Sequence, residues 1–88
     1  MVRQPLTAEQ LAAGKRLGGL LRAARGDRPL DDVAHASGIS PETLRKIETG
    51  RLPTPAFGAV VQLAATLRLD LNDVADAWQD ETKIVAAS

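Results

Sequence analysis

The chain contains no cysteine, no tyrosine and a single histidine, and its only aromatic residues are Phe57 and Trp78. Without cysteine there is no disulfide staple and no thiolate metal site, which fits a reducing compartment. His35 has no second histidine to pair with, and helical periodicity puts it on an outer face, so it reads as a surface residue and no metal site or cofactor is expected. No phosphate-cradling glycine loop follows a strand, and no nucleophile stands with a base, so no enzymatic activity is expected. No apolar run approaches membrane-spanning length, and the opening Met1-Val2-Arg3-Gln4-Pro5 has no apolar signal core, so a soluble, cytoplasmic protein is expected. No segment alternates convincingly at period two, which argues against a sheet.

What remains is a chain of 88 residues, enough for one small domain, with 44% hydrophobic residues to build an aliphatic core. The formal net charge is zero, but it is unevenly spread. Residues 1–51 carry nine basic groups against six acidic ones, and residues 52–88 carry two against five, a split of about +3 and −3. Such a dipolar domain can turn a basic face toward phosphates while its acidic end points away.

The densest signal lies between Ala34 and Gly50. Small Ala34 lets another helix approach. Gly38 stands where the chain must reverse and a left-handed residue is cheapest. Ile39 plugs the space after the turn. Ser40 is placed to cap the next helix, and Pro41 occupies its first position, where a missing N–H costs nothing. Leu44 and Ile47 face back toward Ala34, while Glu42, Thr43, Arg45 and Lys46 point outward. A helix pair locked in this way holds its second helix proud of the surface, the geometry used to enter a DNA major groove.

Around this pair the pattern predicts three more helices. Thr7 and Gln10 form a capping box for a helix running to about Arg25, with Leu17, Leu20, Leu21 and Ala24 inward. Gly14 and Gly18 share one face of it; they read as glycines tolerated by tertiary packing, with a close helix contact as the alternative. Leu30 to Ser37 forms the second helix, with Asp31 and Asp32 at its positive end. Residues 40–49 form the third. Thr54-Pro55 opens the fourth, with Phe57, Val60, Val61, Ala64 and Leu67 inward, and Asp70 with Asp73 caps the fifth, which buries Leu71, Val74 and Trp78. The expected layout is an N-terminal arm over 1–6, an all-α domain over 7–79 and a tail over 80–88.

Five short helices with a helix-turn-helix at the second and third resemble the Cro/CI-type, or xenobiotic response element, regulators of bacteria and their phages. The resemblance covers about residues 12–78. It rests on Ala34, Gly38, Ile39, Leu44, Ile47 and the Ile47-Glu48-Thr49-Gly50 ending, and on the stretch from Thr43 to Phe57. It implies a lambda-repressor-like fold and sequence-specific binding of double-stranded DNA by a homodimer. The third helix would carry base and phosphate contacts at Ser40, Pro41, Glu42, Thr43, Arg45 and Lys46, and Arg51 would clamp a phosphate. The family's acid at Glu48 pairs with an arginine of the first helix, for which Arg22 is the nearest candidate. Four positions depart from the family's pattern. Pro29 and Leu30 replace its cap and phosphate-binding glutamine, which moves that contact to Arg28; Pro41 cannot donate a hydrogen bond; and Arg68 replaces the glycine that ends the fourth helix.

A second reading treats the helix-turn-helix as a scaffold for protein contact, as in an antitoxin gripping its toxin. On either reading Trp78, Ile84 and Val85 are the candidates for association. Neutral net charge favours the second reading, and Arg45, Lys46 and Arg51 together favour DNA.

Overall fold

A computed structural model describes residues 5–79 and contains five helices and no strand among them: α1 Ala8–Arg25, α2 Leu30–Ser37, α3 Pro41–Glu48, α4 Phe57–Leu67 and α5 Leu71–Gln79. Residues 1–4 of the expected arm over 1–6 and the whole tail over 80–88, including Ile84 and Val85, lie outside the described residues.

The helix ends follow local chemistry. At the start of α1 the Gln10 N–H donates to Thr7 Oγ1 at 3.0 Å and the Thr7 N–H donates to Gln10 Oε1 at 2.9 Å, a complete capping box. Gly38 ends α2 at φ 75°, ψ 22°, with its own N–H and that of Ile39 closing back onto the last turn. Ser40 Oγ then accepts from the Thr43 N–H at 3.1 Å, with Pro41 just inside α3. Pro29 occupies the cap position of α2 without a side-chain hydrogen bond, leaving Asp31 and Asp32 to favour that end electrostatically.

The core is aliphatic. Leu21, Val33, Leu44, Ile47 and Leu63 are its largest fully buried side chains, with Ala34 equally sealed between α2 and its neighbours. α1 is the central post and packs against α3, α4 and α5. Two of its glycines make that packing possible. A Cβ on Gly14 would lie 2.5 Å from Pro53 Cα, and one on Gly18 would collide with the Ile47 carbonyl oxygen. They are therefore close-contact glycines rather than merely tolerated ones. The end of α3 and the loop after it rest directly on the α1 backbone.

Three expectations about the second half need correction. α4 starts at Phe57, not at Thr54-Pro55, and Ala56 at its cap offers no side-chain hydrogen bond. The buried Pro53 is committed to Gly14, so the cap-then-proline pair after it belongs to the loop. Phe57 is 77% exposed, because the first turn of α4 stands at the rim of a groove and Val60, Leu63 and Ala64 fill the interface instead. Leu71, 47% exposed, stands likewise at the first turn of α5, leaving Val74 as that helix's buried anchor and Trp78 packed half-buried against the core. Asp70 does cap α5, its Oδ1 accepting from the Asn72 N–H at 2.8 Å.

Arg68 closes α4 in the left-handed conformation at φ 59°, ψ 41°, the only described non-glycine residue at positive φ. The Leu69 N–H donates to the Ala64 carbonyl at 2.8 Å, so Arg68 completes the turn that Gly38 completes after α2, at a cost of about 1–2 kcal/mol.

Candidate nucleic-acid interface

α3 is held from beneath and free above. Leu44 and Ile47 are buried, fixing which face turns outward. On the outward side Pro41, Glu42 and Arg45 are exposed, and Thr43 and Lys46 are partly so. Lys46 Nζ lies 3.7 Å from Glu42 Oε2, one helical turn away, and both side chains are well solvated. A pair of this kind holds little energy and yields its lysine readily to a stronger anion. The Ser40 hydroxyl is already engaged: it caps the Thr43 N–H and donates to Thr43 Oγ1 at 2.8 Å.

Glu48 lies at the base of α3, and its partner is Arg25, not Arg22. Arg25 Nε donates to Glu48 Oε2 at 2.8 Å and Nη2 to Oε1 at 3.0 Å, a bidentate fork with side chains 12% and 6% exposed. The hydrogen bond to Glu48 holds the Arg25 guanidinium above its ordinary pKa, against the opposing effect of burial. Arg22 turns to its own helix end and donates to the Gly26 carbonyl at 3.1 Å. The reason is rotational. Gly14, Gly18 and Leu21 mark the buried stripe of α1, and Arg25 continues it one turn on, whereas Arg22 is exposed. The acid at the base of α3 is thereby neutralised, and the solvated charges toward the C-terminal end of α3 and just beyond it, Arg45, Lys46 and Arg51, are cationic.

Beyond α3 the chain turns on Gly50, at φ 80°, and the Leu52 N–H donates to the Lys46 carbonyl at 3.0 Å. A Cβ on Gly50 would lie 2.7 Å from Lys15 Cγ, so the stem of Lys15 lies across this turn. Exposed Lys15 and exposed Arg51 thus stand together beside the end of α3. Sequence reasoning passed over Lys15; its signal was the preceding Gly14, which seats α1 on this same loop. Exposed Arg28 reaches toward α4, its Nη1 donating to the Thr66 carbonyl at 3.4 Å, so it borders the α2–α3 unit rather than joining the Arg45, Lys46 and Arg51 group.

The turn geometry at Gly38, the buried pair beneath α3 and its solvated outward face define the unit, and the helix-turn-helix domain family matches residues 16–77. The chain belongs to that family. The match takes in all of α2, α3 and α4, most of α1 and nearly all of α5, so the helix-turn-helix domain occupies most of the described chain. No curated protein matches it. No helix among the described residues of this helix-turn-helix domain is long and apolar enough to cross a membrane. Its described residues contain no cluster of histidine, aspartate and glutamate able to hold a metal ion.

Proposed function

We propose that this helix-turn-helix domain is a sequence-specific, double-stranded DNA-binding transcription regulator of the Cro/CI type. It acts in the cytoplasm as a two-fold dimer, with α3 in the major groove. The observation that carries the reading is the outward face of α3, where Arg45 and Lys46 are accessible while the only buried acid of that helix is held by Arg25. Arginine and lysine read guanine O6 and N7, and Glu42 can accept from cytosine N4. Thr43, Arg51 and Lys15 supply phosphate contacts, which set register rather than sequence. In a two-fold complex the half-sites stand about 34–36 Å apart, one helical turn of DNA.

The test is a fluorescence-anisotropy titration of duplexes, chosen by selection from a random pool, at about 50 and 200 mM salt. Affinity that falls steeply with salt, together with an enriched symmetric sequence, supports the reading. Binding without salt dependence, or no enrichment, removes it in favour of a protein-contact scaffold.

A further inference from the structure

The outward face of α3 carries an ion pair that the fold does not need. Glu42 stands in the first turn of the helix and Lys46 one turn on, with Lys46 Nζ 3.7 Å from Glu42 Oε2. Glutamate before lysine at this spacing is the favourable order, but side chains as solvated as these gain little stability from each other. The buried Leu44 and Ile47 hold the helix down without it. The pair instead fixes one acceptor and one donor side by side above the helix surface. An ammonium group has three N–H donors and a carboxylate about four lone-pair positions, so each keeps capacity for a further partner while joined to the other.

We infer that Glu42 and Lys46, still joined, read a single base pair as a unit: a G·C pair in one orientation only, with cytosine under Glu42 and guanine under Lys46. This rests on the DNA binding proposed above and adds the identity and direction of one base pair. In the major groove cytosine shows its N4 amino donor and guanine its O6 and N7 acceptors. N4 and O6 of one pair are hydrogen-bonded to each other, so they lie about 2.9 Å apart. The carboxylate and the ammonium, 3.7 Å apart, match that spacing. The four groups then close a ring. Cytosine N4 donates to Glu42, Lys46 donates to guanine O6, and the bonds already present, Lys46 to Glu42 and N4 to O6, complete it, each strengthening the next. Turned end for end, the same base pair sets the carboxylate against O6 and N7 and the ammonium against an amino group. An A·T pair with adenine under Glu42 keeps the order of donor and acceptor, but thymine gives Lys46 one acceptor where guanine gives two. Glu42 therefore selects chiefly by exclusion, because a carboxylate among base acceptors and phosphates is tolerated only over an amino group.

Competition anisotropy on the selected duplex tests it, with all four base pairs placed in turn at the position where Lys46→Ala relaxes discrimination. The proteins are wild type, Lys46→Ala, Glu42→Gln and Asp76→Asn. Glutamine keeps the shape of Glu42 but presents an amide that both donates and accepts. Asp76, exposed on α5, controls for the lost negative charge, since α5 shares no substantial contact with α3. Wild type should prefer one orientation of G·C and bind the inverted pair at least about tenfold more weakly. Glu42→Gln should reduce that loss to below about threefold at this position, chiefly by binding the inverted duplex more tightly. Asp76→Asn should keep the wild-type profile. Circular dichroism should show the same helix content in every variant, since Glu42 and Asp76 are both exposed. The inference is overturned by an inversion loss that Glu42→Gln leaves intact, by relaxation at a base pair other than the one Lys46 reads, or by equal relaxation in Asp76→Asn. A wild type that favours A·T at this position, or a Lys46→Ala that relaxes no position, overturns it too. Any of these in a protein that still selects a sequence sinks this inference alone. A wild type that distinguishes no duplex from any other sinks the DNA reading, and this inference with it.

Discussion

Removing the Arg25–Glu48 fork should cost more than removing any other single polar contact in the domain. Both side chains are close to fully buried and joined by two charge-assisted bonds at 2.8 and 3.0 Å. Deleting one member of a buried pair costs about 3–5 kcal/mol, because the survivor is left charged and unpaired, whereas exposed pairs contribute about 0–1 kcal/mol. Residual exposure of 12% and 6% places this pair near the buried limit, so about 2–4 kcal/mol is expected for Arg25→Ala or Glu48→Ala. For a domain of 88 residues, whose total stability is about 4–13 kcal/mol, that is a large fraction, and it lowers Tm by roughly 10–30 °C. The double variant should recover part of the loss, with a coupling energy of at least about 1.5 kcal/mol. Arg22→Ala removes only an exposed bond to the Gly26 carbonyl and should stay within about 0.5 kcal/mol of wild type. The assay is thermal and urea unfolding followed by circular dichroism across the four variants. The sign of the pH dependence is fixed as well. The folded pKa of Arg25 is raised, so its contribution is complete below the unfolded value and is lost only as pH climbs through the folded one, far into the alkaline range. Between about pH 6 and 8 its contribution should not change. Additive, near-zero effects at positions 25 and 48, or an Arg22→Ala as damaging as Arg25→Ala, would refute the reasoning.

The neighbouring glycines of α1 should respond in opposite directions. Gly18→Ala forces a methyl against the Ile47 carbonyl, which cannot swing aside, and should cost several kcal/mol or displace α3, whereas Gly19→Ala meets nothing within 4 Å and should stabilise by up to about 1 kcal/mol; chemical denaturation of both variants reads the difference. Arg68→Gly should stabilise by roughly 1 kcal/mol by relieving the left-handed backbone, and a lower Tm would show that the side chain matters more than its conformation. Arg16→Ala should loosen α5, because Arg16 Nε and Nη2 donate to the last carbonyls of that helix, Ala77 at 2.8 Å and Trp78 at 2.7 Å; faster amide hydrogen exchange confined to α5 is the expected signature.

The parts of the fold legible in the sequence are those fixed by a few adjacent residues. Thr7 with Gln10, Gly38, and Ser40 with Pro41 each set a helix end through bonds spanning three to five positions, and each forms as the chemistry dictates. The buried Ala34, Leu44 and Ile47 follow from helical spacing. What escaped depends on partners far along the chain. Choosing between Arg22 and Arg25 requires the rotation of α1 about its axis, and that rotation is fixed by Gly18 lying under Ile47. The late start of α4 follows from Pro53 packing on Gly14. Arg16 reaches carbonyls 61 and 62 positions away, which no local pattern announces. Phe57 and Leu71 failed a different assumption, that large apolar side chains belong inside; both sit in first turns, where a helical stripe runs out past the end of the core.

The central claim is that α3 reads bases while the cations beside its end hold the backbone. The most direct measurement is a competition panel of single-base-pair variants of the selected duplex against wild type, Lys46→Ala and Arg51→Ala, at two salt concentrations. Lys46→Ala should lose about 1–3 kcal/mol on the preferred site and relax discrimination at one base pair per half-site. Arg51→Ala should weaken every duplex about equally and lower the salt slope by about one unit per half-site. A Lys46→Ala profile identical in shape to that of wild type, or an Arg51→Ala variant that changes base preference but not the salt slope, would contradict that division of labour.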